Sequence, residues 1–303
     1  MEIYLPIAEM SVHWLIVLGM GGVIGFLSGL FGVGGGFLLT PLLIFYGIPA
    51  EVAVATTASH ITASSISGAL AQWRRRALDL KMGAVMAAGG LAGTVFGVWL
   101  FTAMKRLGQM DLLVSSSYVV LLGTVGGLML RESLATLRAA RAGRPTARRA
   151  PHTWMHGLPF KMRFRESRLY ISVIPPIGIG ILVGVLSAIM GVGGGFVMIP
   201  AMIYMLGMPT SVVPGTSLFQ IIIVTAATTI LQATTNYSVD IMLALFLILG
   251  GVVGAQLGVR VGERLRGEQL RLLLALLVLA MAARLLLGLV LKPDDPFSVA
   301  VGP

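Results

Sequence analysis

Two glycine-rich stretches recur in the chain, and both lie inside apolar segments. The residues GVGGGF occupy positions 32–37 and again 191–196, and a proline, Pro41 or Pro200, stands five residues after the last glycine of each. Consecutive glycines favour a break in a helix, and non-helical backbone at membrane depth persists only where protein or a wet cavity surrounds it. A helix that begins after such a break directs free N–H groups and the positive end of its dipole into that space. Each stretch therefore predicts an anion site that needs no basic side chain.

Hydroxyl and amide side chains follow each glycine stretch at matching distances. The first half contains ATTASHITASS, which is unusually polar for a buried apolar segment, and the second contains PGTSLFQ. Proline suits the first turn of a helix, so PGTS predicts a further helix start with hydroxyls beside free amides. The predicted substrate-binding residues are Gly34, Gly35, Gly36, Thr56, Thr57, His60, Gly193, Gly194, Gly195, Thr216, Ser217 and Gln220.

His60 and Gln220 occupy matching places, each four residues after a matched threonine and therefore on the same helix face as it. An ionisable residue at membrane depth is a functional hypothesis by default. Histidine gains a proton near neutral pH, whereas glutamine does not titrate. We expect the two side chains on opposite sides of one cavity, with His60 recognising the charge of an anion or carrying a proton and Gln220 positioning it.

Close helix packing is the alternative explanation for glycine in membrane segments. It suits GGLAGTVFG at 89–97 and GGVVGAQLG at 250–258, which match each other, and packing or a hinge is the alternative for GVGGG itself. Serine and threonine hydroxyls in membrane helices often only bond the carbonyl four residues earlier. That explanation suits the further hydroxyl residues of the same segments.

Composition places the chain in the membrane. Of 303 residues, 56% are hydrophobic and only 11% are charged, and the apolar residues come in long blocks. There is no cysteine, and no nucleotide-binding, HExxH or GxSxG motif is found, so no enzyme, cofactor or metal site is expected. The acidic N-terminus predicts no cleaved signal peptide. Because Glu51, Asp79, Asp111 and Asp240 stand near segment ends, an ATP-driven pump or a carboxylate-lined cation carrier is disfavoured.

The apolar segments form two matching sets of five. Residues 28–45 and 187–204 share nine identities in eighteen positions, including the glycines and the proline. This similarity indicates an internal duplication. The predicted segments are 11–30, 36–47, 51–73, 82–104 and 111–131 in the first half, and 171–190, 196–207, 211–234, 239–261 and 270–291 in the second.

The distribution of basic residues predicts that the halves have opposite orientations. Residues 131–170 hold ten Arg or Lys and two Glu, which indicates a cytoplasmic loop rather than a nucleic-acid-binding arm. Arg74 and Lys81 place the link between segments 3 and 4 inside, whereas the matching link TTNYSVD lacks basic residues. Lys105 and Arg106 then lie outside, a mild violation of the positive-inside rule. We expect repeat 1 at 11–131, a basic cytoplasmic loop at 132–170, an inverted repeat 2 at 171–291 and an external tail at 292–303.

The duplicated Gly-x-Gly-Gly-Gly-Phe, with its proline, resembles the sulfite exporter TauE/SafE family of membrane proteins. The resemblance covers most of both halves and implies transport of a small sulfur-containing anion, such as sulfite or a sulfonate, across a bacterial inner membrane. We predict an all-α membrane protein of two inverted repeats, with half-helices at the glycine stretches, that exports such an anion by alternating access. Both termini are expected to be periplasmic, the partners are the substrate and the lipid bilayer, and a homodimer is left open. A carrier of a carboxylate or a metal cation and a non-transporting scaffold are the alternatives.

Overall fold

The structure is a computed structural model that describes residues 2–31, 36–74, 78–141, 159–167, 169–209, 211–262 and 267–290. Two sets of a β-hairpin followed by five helices make up these residues. The first set is β1 (Glu2–Leu5), β2 (Met10–His13), α1 (Trp14–Phe31), α2 (Gly36–Phe45), α3 (Ala50–Arg74), α4 (Leu80–Arg106) and α5 (Met110–Arg141). The second set is β3 (Lys161–Phe164), β4 (Leu169–Ser172), α6 (Ile174–Met190), α7 (Gly195–Met205), α8 (Val213–Asn236), α9 (Ile241–Gly262) and α10 (Gly267–Val290).

Helices that can cross a membrane dominate the described chain. Five of them, within α4, α5, α8, α9 and α10, are long and apolar enough to span, and α1, α2, α6 and α7 are shorter apolar helices. The 25-residue α3 is less apolar than α1, α2 and α4, because it carries the hydroxyl-rich run that includes His60. Alpha-helices satisfy every backbone group within the segment, which is what lipid requires. The prediction of an all-α membrane protein is confirmed.

The hairpins were not predicted from the sequence. Residues 161–172 lie within the stretch expected to be a basic loop together with the start of the second repeat, yet they form the antiparallel pair β3–β4. Residues 2–13 form β1–β2 in the same way. Each hairpin buries the last residue of its first strand, Leu5 or Phe164, beneath the helices. Residues 132–141 continue α5, whereas residues 142–158 and the expected tail 292–303 lie outside the described residues.

Two glycine-lined helix contacts join the halves. α1 runs along α9, with Gly21 opposite Leu247 and Gly25 opposite Gly251, so the two helices are parallel. α4 runs along α6 in the same manner, with Gly89 opposite Ile177. A Cβ at Gly21 would lie 2.6 Å from the carbonyl oxygen of Leu247, so only glycine permits this approach. The packing role that the sequence suggested for the stretches 89–97 and 250–258 is therefore what the structure shows.

α3 and α8, the matched third helices of the two sets, pack against each other in opposite directions. The hydroxyl of Thr62 donates to Thr225 Oγ1 at 2.8 Å, and Gly68 further along α3 contacts Leu218 earlier in α8. Equivalent helices that run antiparallel favour the inverted arrangement of the halves that the sequence predicts.

A polar network neutralises Lys105 at the end of α4. Its ammonium group lies 2.9 Å from Glu51 Oε2 and donates to the carbonyl of Asn236 at 3.0 Å and to Ser238 Oγ at 3.3 Å. These partners tie the end of α4 to the start of α3 and to the turn after α8.

Candidate functional site

The second glycine stretch lies between two helices. α6 ends at Met190, α7 begins at Gly195, and Gly191, Gly193 and Gly194 have φ values of 67°, 69° and 76°. Residues that carry a side chain rarely adopt this left-handed backbone conformation, so glycine is required at these three positions. The first amides of α7 have no carbonyl of an earlier turn to bond, and they face back towards the break. The segment presents donors without carrying a charge.

The carbonyls at the end of α6 have hydrogen-bond partners in the glycine stretch itself and on neighbouring helices. The Gly191 amide donates to Ser187 O at 2.9 Å, and the Tyr118 hydroxyl of α5 donates to Met190 O at 2.7 Å. Gln232 Nε2 of α8 donates to Ala188 O at 3.2 Å. Side chains thus replace the partners that a continuing helix would supply. These contacts fix the position of the break, and neither Tyr118 nor Gln232 was singled out from the sequence.

One face of α3 lies against this break. A Cβ at Gly191 would overlap the carbonyl of Val54, and one at Gly193 would lie 2.8 Å from Ile61 Cγ2. Thr57 stands between Val54 and Ile61 on the same helix face. Its side chain is fully buried, and its hydroxyl has no hydrogen-bond partner among the described residues. A buried hydroxyl without a partner is costly unless something else binds it.

The start of α2 meets the same region. A Cβ at Gly36 would overlap the Ile61 side chain and would lie 3.1 Å from the carbonyl oxygen of Val192. Phe37 stacks on Phe196, the matching residue after the second stretch, with ring centroids 4.7 Å apart. The starts of α2 and α7 are thus brought together beside α3. Gly34 and Gly35 lie outside the described residues.

His60 and Gln220 pack against different helices. A Cβ at Gly251 of α9 would overlap the His60 imidazole, and one at Gly90 of α4 would lie 3.0 Å from Gln220 Nε2. Gly90 and Gly251 are themselves matched positions of the two halves. Both polar side chains are buried, and His60 Nδ1 and both polar atoms of Gln220 have no hydrogen-bond partner among the described residues. Each therefore offers unused polar atoms, but on opposite flanks of the α3–α8 pair; that they share one cavity stays a prediction.

Thr56 and Thr216 are already hydrogen-bonded. Thr56 Oγ1 accepts from the amide of Asp240 at 3.1 Å, and Thr216 Oγ1 accepts from the amide of Asp79 at 2.9 Å while donating to the carbonyl of Val212. Ser217 donates to the carbonyl of Pro214 at 3.0 Å. Among the four predicted hydroxyls, that of Thr57 is the one without a hydrogen-bond partner in the described part of the chain.

A family model described as sulfite exporter TauE/SafE matches residues 17–285, which include both glycine stretches and all ten helices in part or whole. The chain belongs to the TauE/SafE family. Relatives cover nearly its full length. A probable membrane transporter protein of Xylella fastidiosa (strain 9a5c) is 31% identical over 282 residues, 90% of this chain and 95% of the relative. The probable membrane transporter protein YjnA of Bacillus subtilis is 28% identical over 270 residues, 88% of this chain and 97% of YjnA.

A third relative is also similar over most of its length. The probable membrane transporter protein MJ0441 of Methanocaldococcus jannaschii is 24% identical over 286 residues, 90% of this chain and 94% of MJ0441. No solved structure matches the chain. The family and the relatives identify this TauE/SafE chain as a multi-pass membrane transporter and not an enzyme.

Two acidic residues of this TauE/SafE transporter have a structural role that their sequence positions did not indicate. Asp79 and Asp240 stand near segment ends, yet they are only 2% and 0% exposed. Each begins a helix, caps it, and bonds a threonine of the opposite half. The available signal was their matched position, because both come directly before the fourth helix of their half.

Proposed function

We propose that this transporter moves a small sulfur-containing oxyanion, such as sulfite or a sulfonate, outwards across a bacterial inner membrane by alternating access between two inverted halves. The single observation that carries the proposal is the convergence of two helix starts, Gly36 and Gly195, beside the free hydroxyl of Thr57. The homologous family is described by sulfite export, which agrees in substrate class. Both termini are proposed to be periplasmic.

The chemistry of this region suits a small anion. Helix N-termini supply oriented N–H donors and a positive dipole end, and Thr57 adds a hydroxyl donor. The lining of Ile61, Phe37 and Phe196 is apolar and buried, which strengthens such hydrogen bonds by excluding water. Because the site binds through amides and a hydroxyl and has no charged side chain, it can release its ligand, as transport requires. His60 and Gln220 stand on either flank with unused polar atoms and are proposed as further contacts along the path.

The proposed direction follows from the membrane potential. Exit of one negative charge is favoured by about 2.3 kcal/mol for each 100 mV. Export therefore needs no coupled ion. The two buried carboxylates, Asp79 and Asp240, were not expected, but their oxygens accept hydrogen bonds from amides or a serine hydroxyl. They are engaged in holding the protein together, so facilitated export remains the proposal.

Flux measurement tests the function. Proteoliposomes loaded with sulfite or a short sulfonate should lose it faster than protein-free vesicles, and a negative interior potential should speed this loss. A carboxylate or a metal cation, loaded separately, distinguishes the alternative carriers. A non-transporting scaffold predicts no flux of any of these solutes.

Thr57→Val tests the site itself. Valine keeps the shape of threonine but removes the hydroxyl, so anion flux should fall about tenfold or more, the value of a hydrogen bond to a charged group. Because the hydroxyl is buried without a partner, its removal should leave thermal stability unchanged or higher. Thr124→Val is the matched control, since Thr124 is an exposed hydroxyl on α5 that bonds only backbone carbonyls of its own helix. Normal flux in Thr57→Val would contradict this site.

A further inference from the structure

Asp79 joins three parts of the protein through separate atoms. Its Oδ1 accepts from the Met82 amide at 3.0 Å and caps α4. Its Oδ2 accepts from the hydroxyl of Ser167 at 2.6 Å and from the Ser167 amide at 3.1 Å, in the turn between β3 and β4. Its own amide donates to Thr216 at the start of α8. One residue thus ties a hairpin, α4 and α8 together at one end of the bundle.

Asp240 repeats the arrangement at the start of α9. Its Oδ1 accepts from the Leu243 amide at 3.0 Å, and its Oδ2 accepts from the Ile7 amide at 3.1 Å, in the turn between β1 and β2. Its amide donates to Thr56 near the start of α3. Because α3 and α8 are antiparallel, the starts of these helices lie at opposite ends of the bundle. The two hairpins therefore cover opposite ends, one near Asp79 and one near Asp240.

Helix capping alone does not account for these contacts. A cap needs one carboxylate oxygen, and Oδ1 supplies it in both cases. The second oxygen is committed to a hairpin turn, and a two-stranded hairpin with four-residue strands is marginal without docking contacts. Buried apolar side chains, such as Leu5 and Phe164, and a charge-assisted hydrogen bond, which is roughly twice as strong as a neutral one, together hold each hairpin in place.

We propose that Asp79 and Asp240 are two latches, each of which holds a β-hairpin closed over one end of the transport path, and that releasing one latch opens that end alone. This inference rests on the proposed alternating access. In the structure both latches are formed, which corresponds to a path closed at both ends. The Asp79 latch has two bonds to its hairpin and the Asp240 latch has one, so the Asp240 end is the easier to open.

Substitution of each aspartate by asparagine distinguishes the contact to the hairpin from the helix cap. Asp79→Asn keeps an oxygen for the Met82 amide, but an NH₂ group replaces Oδ2 and meets the N–H of Ser167, so two donors face each other. Asp240→Asn does the same to the Ile7 amide. Ser167→Ala is a milder variant that removes only the hydroxyl bond. Asp111→Asn is the matched control, because Asp111 is an exposed acid in the first turn of α5.

Because the sequence has no cysteine, a single cysteine introduced at one position can be labelled selectively and serves as a reporter of accessibility. Thr57→Cys lies on α3 beside the Asp240 latch, and Ser217→Cys lies on α8 beside the Asp79 latch. Each reporter is labelled with a membrane-impermeant maleimide in right-side-out and inside-out vesicles, without substrate, so the outcome does not depend on which solute is carried. Size-exclusion chromatography checks that each variant is folded.

The proposal predicts that each Asp→Asn variant accelerates the labelling of a different reporter. Asp79→Asn should raise the labelling rate of Ser217→Cys about tenfold or more, from the side of the membrane where Arg74 and Lys81 lie, and leave Thr57→Cys unchanged. Asp240→Asn should do the reverse from the other side, and Ser167→Ala should give a smaller rise at Ser217→Cys. Equal acceleration of both reporters in either variant, or no acceleration in Asp79→Asn, Asp240→Asn and Ser167→Ala, would overturn it. If Asp79→Asn does not fold, the Ser167→Ala result decides the Asp79 latch.

Discussion

Gly193 lies in the second glycine break, and replacing it by alanine should strongly destabilise the protein. Its φ of 69° lies in the left-handed region, which costs an alanine about 1–2 kcal/mol. The new Cβ would also lie 2.8 Å from Ile61 Cγ2 and 3.2 Å from Thr225 Cγ2, inside ordinary carbon–carbon contact. Overpacking of this kind costs about 1–3 kcal/mol. The sum predicts destabilisation by roughly 2–5 kcal/mol.

Gly178→Ala is the control, because Gly178 lies within α6 and no atom stands within 4 Å of its Cβ position. There alanine should stabilise by about 0.5–1 kcal/mol through helix propensity. Thermal unfolding in detergent, followed by intrinsic fluorescence, measures both. We expect the apparent Tm of Gly193→Ala to fall by at least about 4 °C and that of Gly178→Ala to stay or rise. Indistinguishable values for the two variants would refute the strained geometry of the break.

Three further predictions follow from other parts of the molecule. Single-cysteine labelling should place tags before Met1 and after Pro303 on one side and the loop at 141–149 on the other; termini on opposite sides would contradict the inverted halves. His60→Gln should keep the fold and part of the flux, because glutamine can replace hydrogen-bonding atoms of the imidazole, and His60→Ala should lower flux more than Ser64→Ala; equal flux in His60→Gln and His60→Ala would exclude hydrogen bonding by His60 along the path. Lys105→Met should lower the apparent Tm more than Glu51→Gln, because Lys105 also holds Asn236 and Ser238; equal losses would assign the whole effect to the ion pair.

Hydropathy blocks predicted the helices well. All ten segments correspond to α1–α10, with boundaries mostly within a few residues, because lipid demands long apolar runs and internally bonded backbone. The main difference is α5, which continues to Arg141 beyond the predicted end at residue 131. Its last ten residues follow the apolar block but are rich in good helix formers such as Leu, Ala and Arg, so the helix does not stop where the hydropathy falls.

The hairpins and the latches were beyond what the sequence could predict. The strands of β3–β4 are only four residues long, and β3 carries Lys161 and Arg163 within a strongly basic stretch, so charge favoured a loop. Asp79 and Asp240 stand near segment ends in the sequence, and their burial depends on hairpin turns about 90 and 230 residues away in the chain. Such long-range contacts leave no local periodicity. Thr57 was predicted among four hydroxyls, and only the hydrogen-bond partners of the other three distinguish it.

The glycine contact between α1 and α9 has a consequence for biogenesis. Gly25 and Gly251 meet although 226 residues separate them, so α1 leaves the ribosome long before its partner exists. At ~5–20 residues per second, the interval is on the order of ten seconds or more. During that time the close-packing groove formed by the glycines of α1 lacks its partner helix. A chain truncated after α5 would keep this groove open and should be recognised as an orphan by membrane proteases.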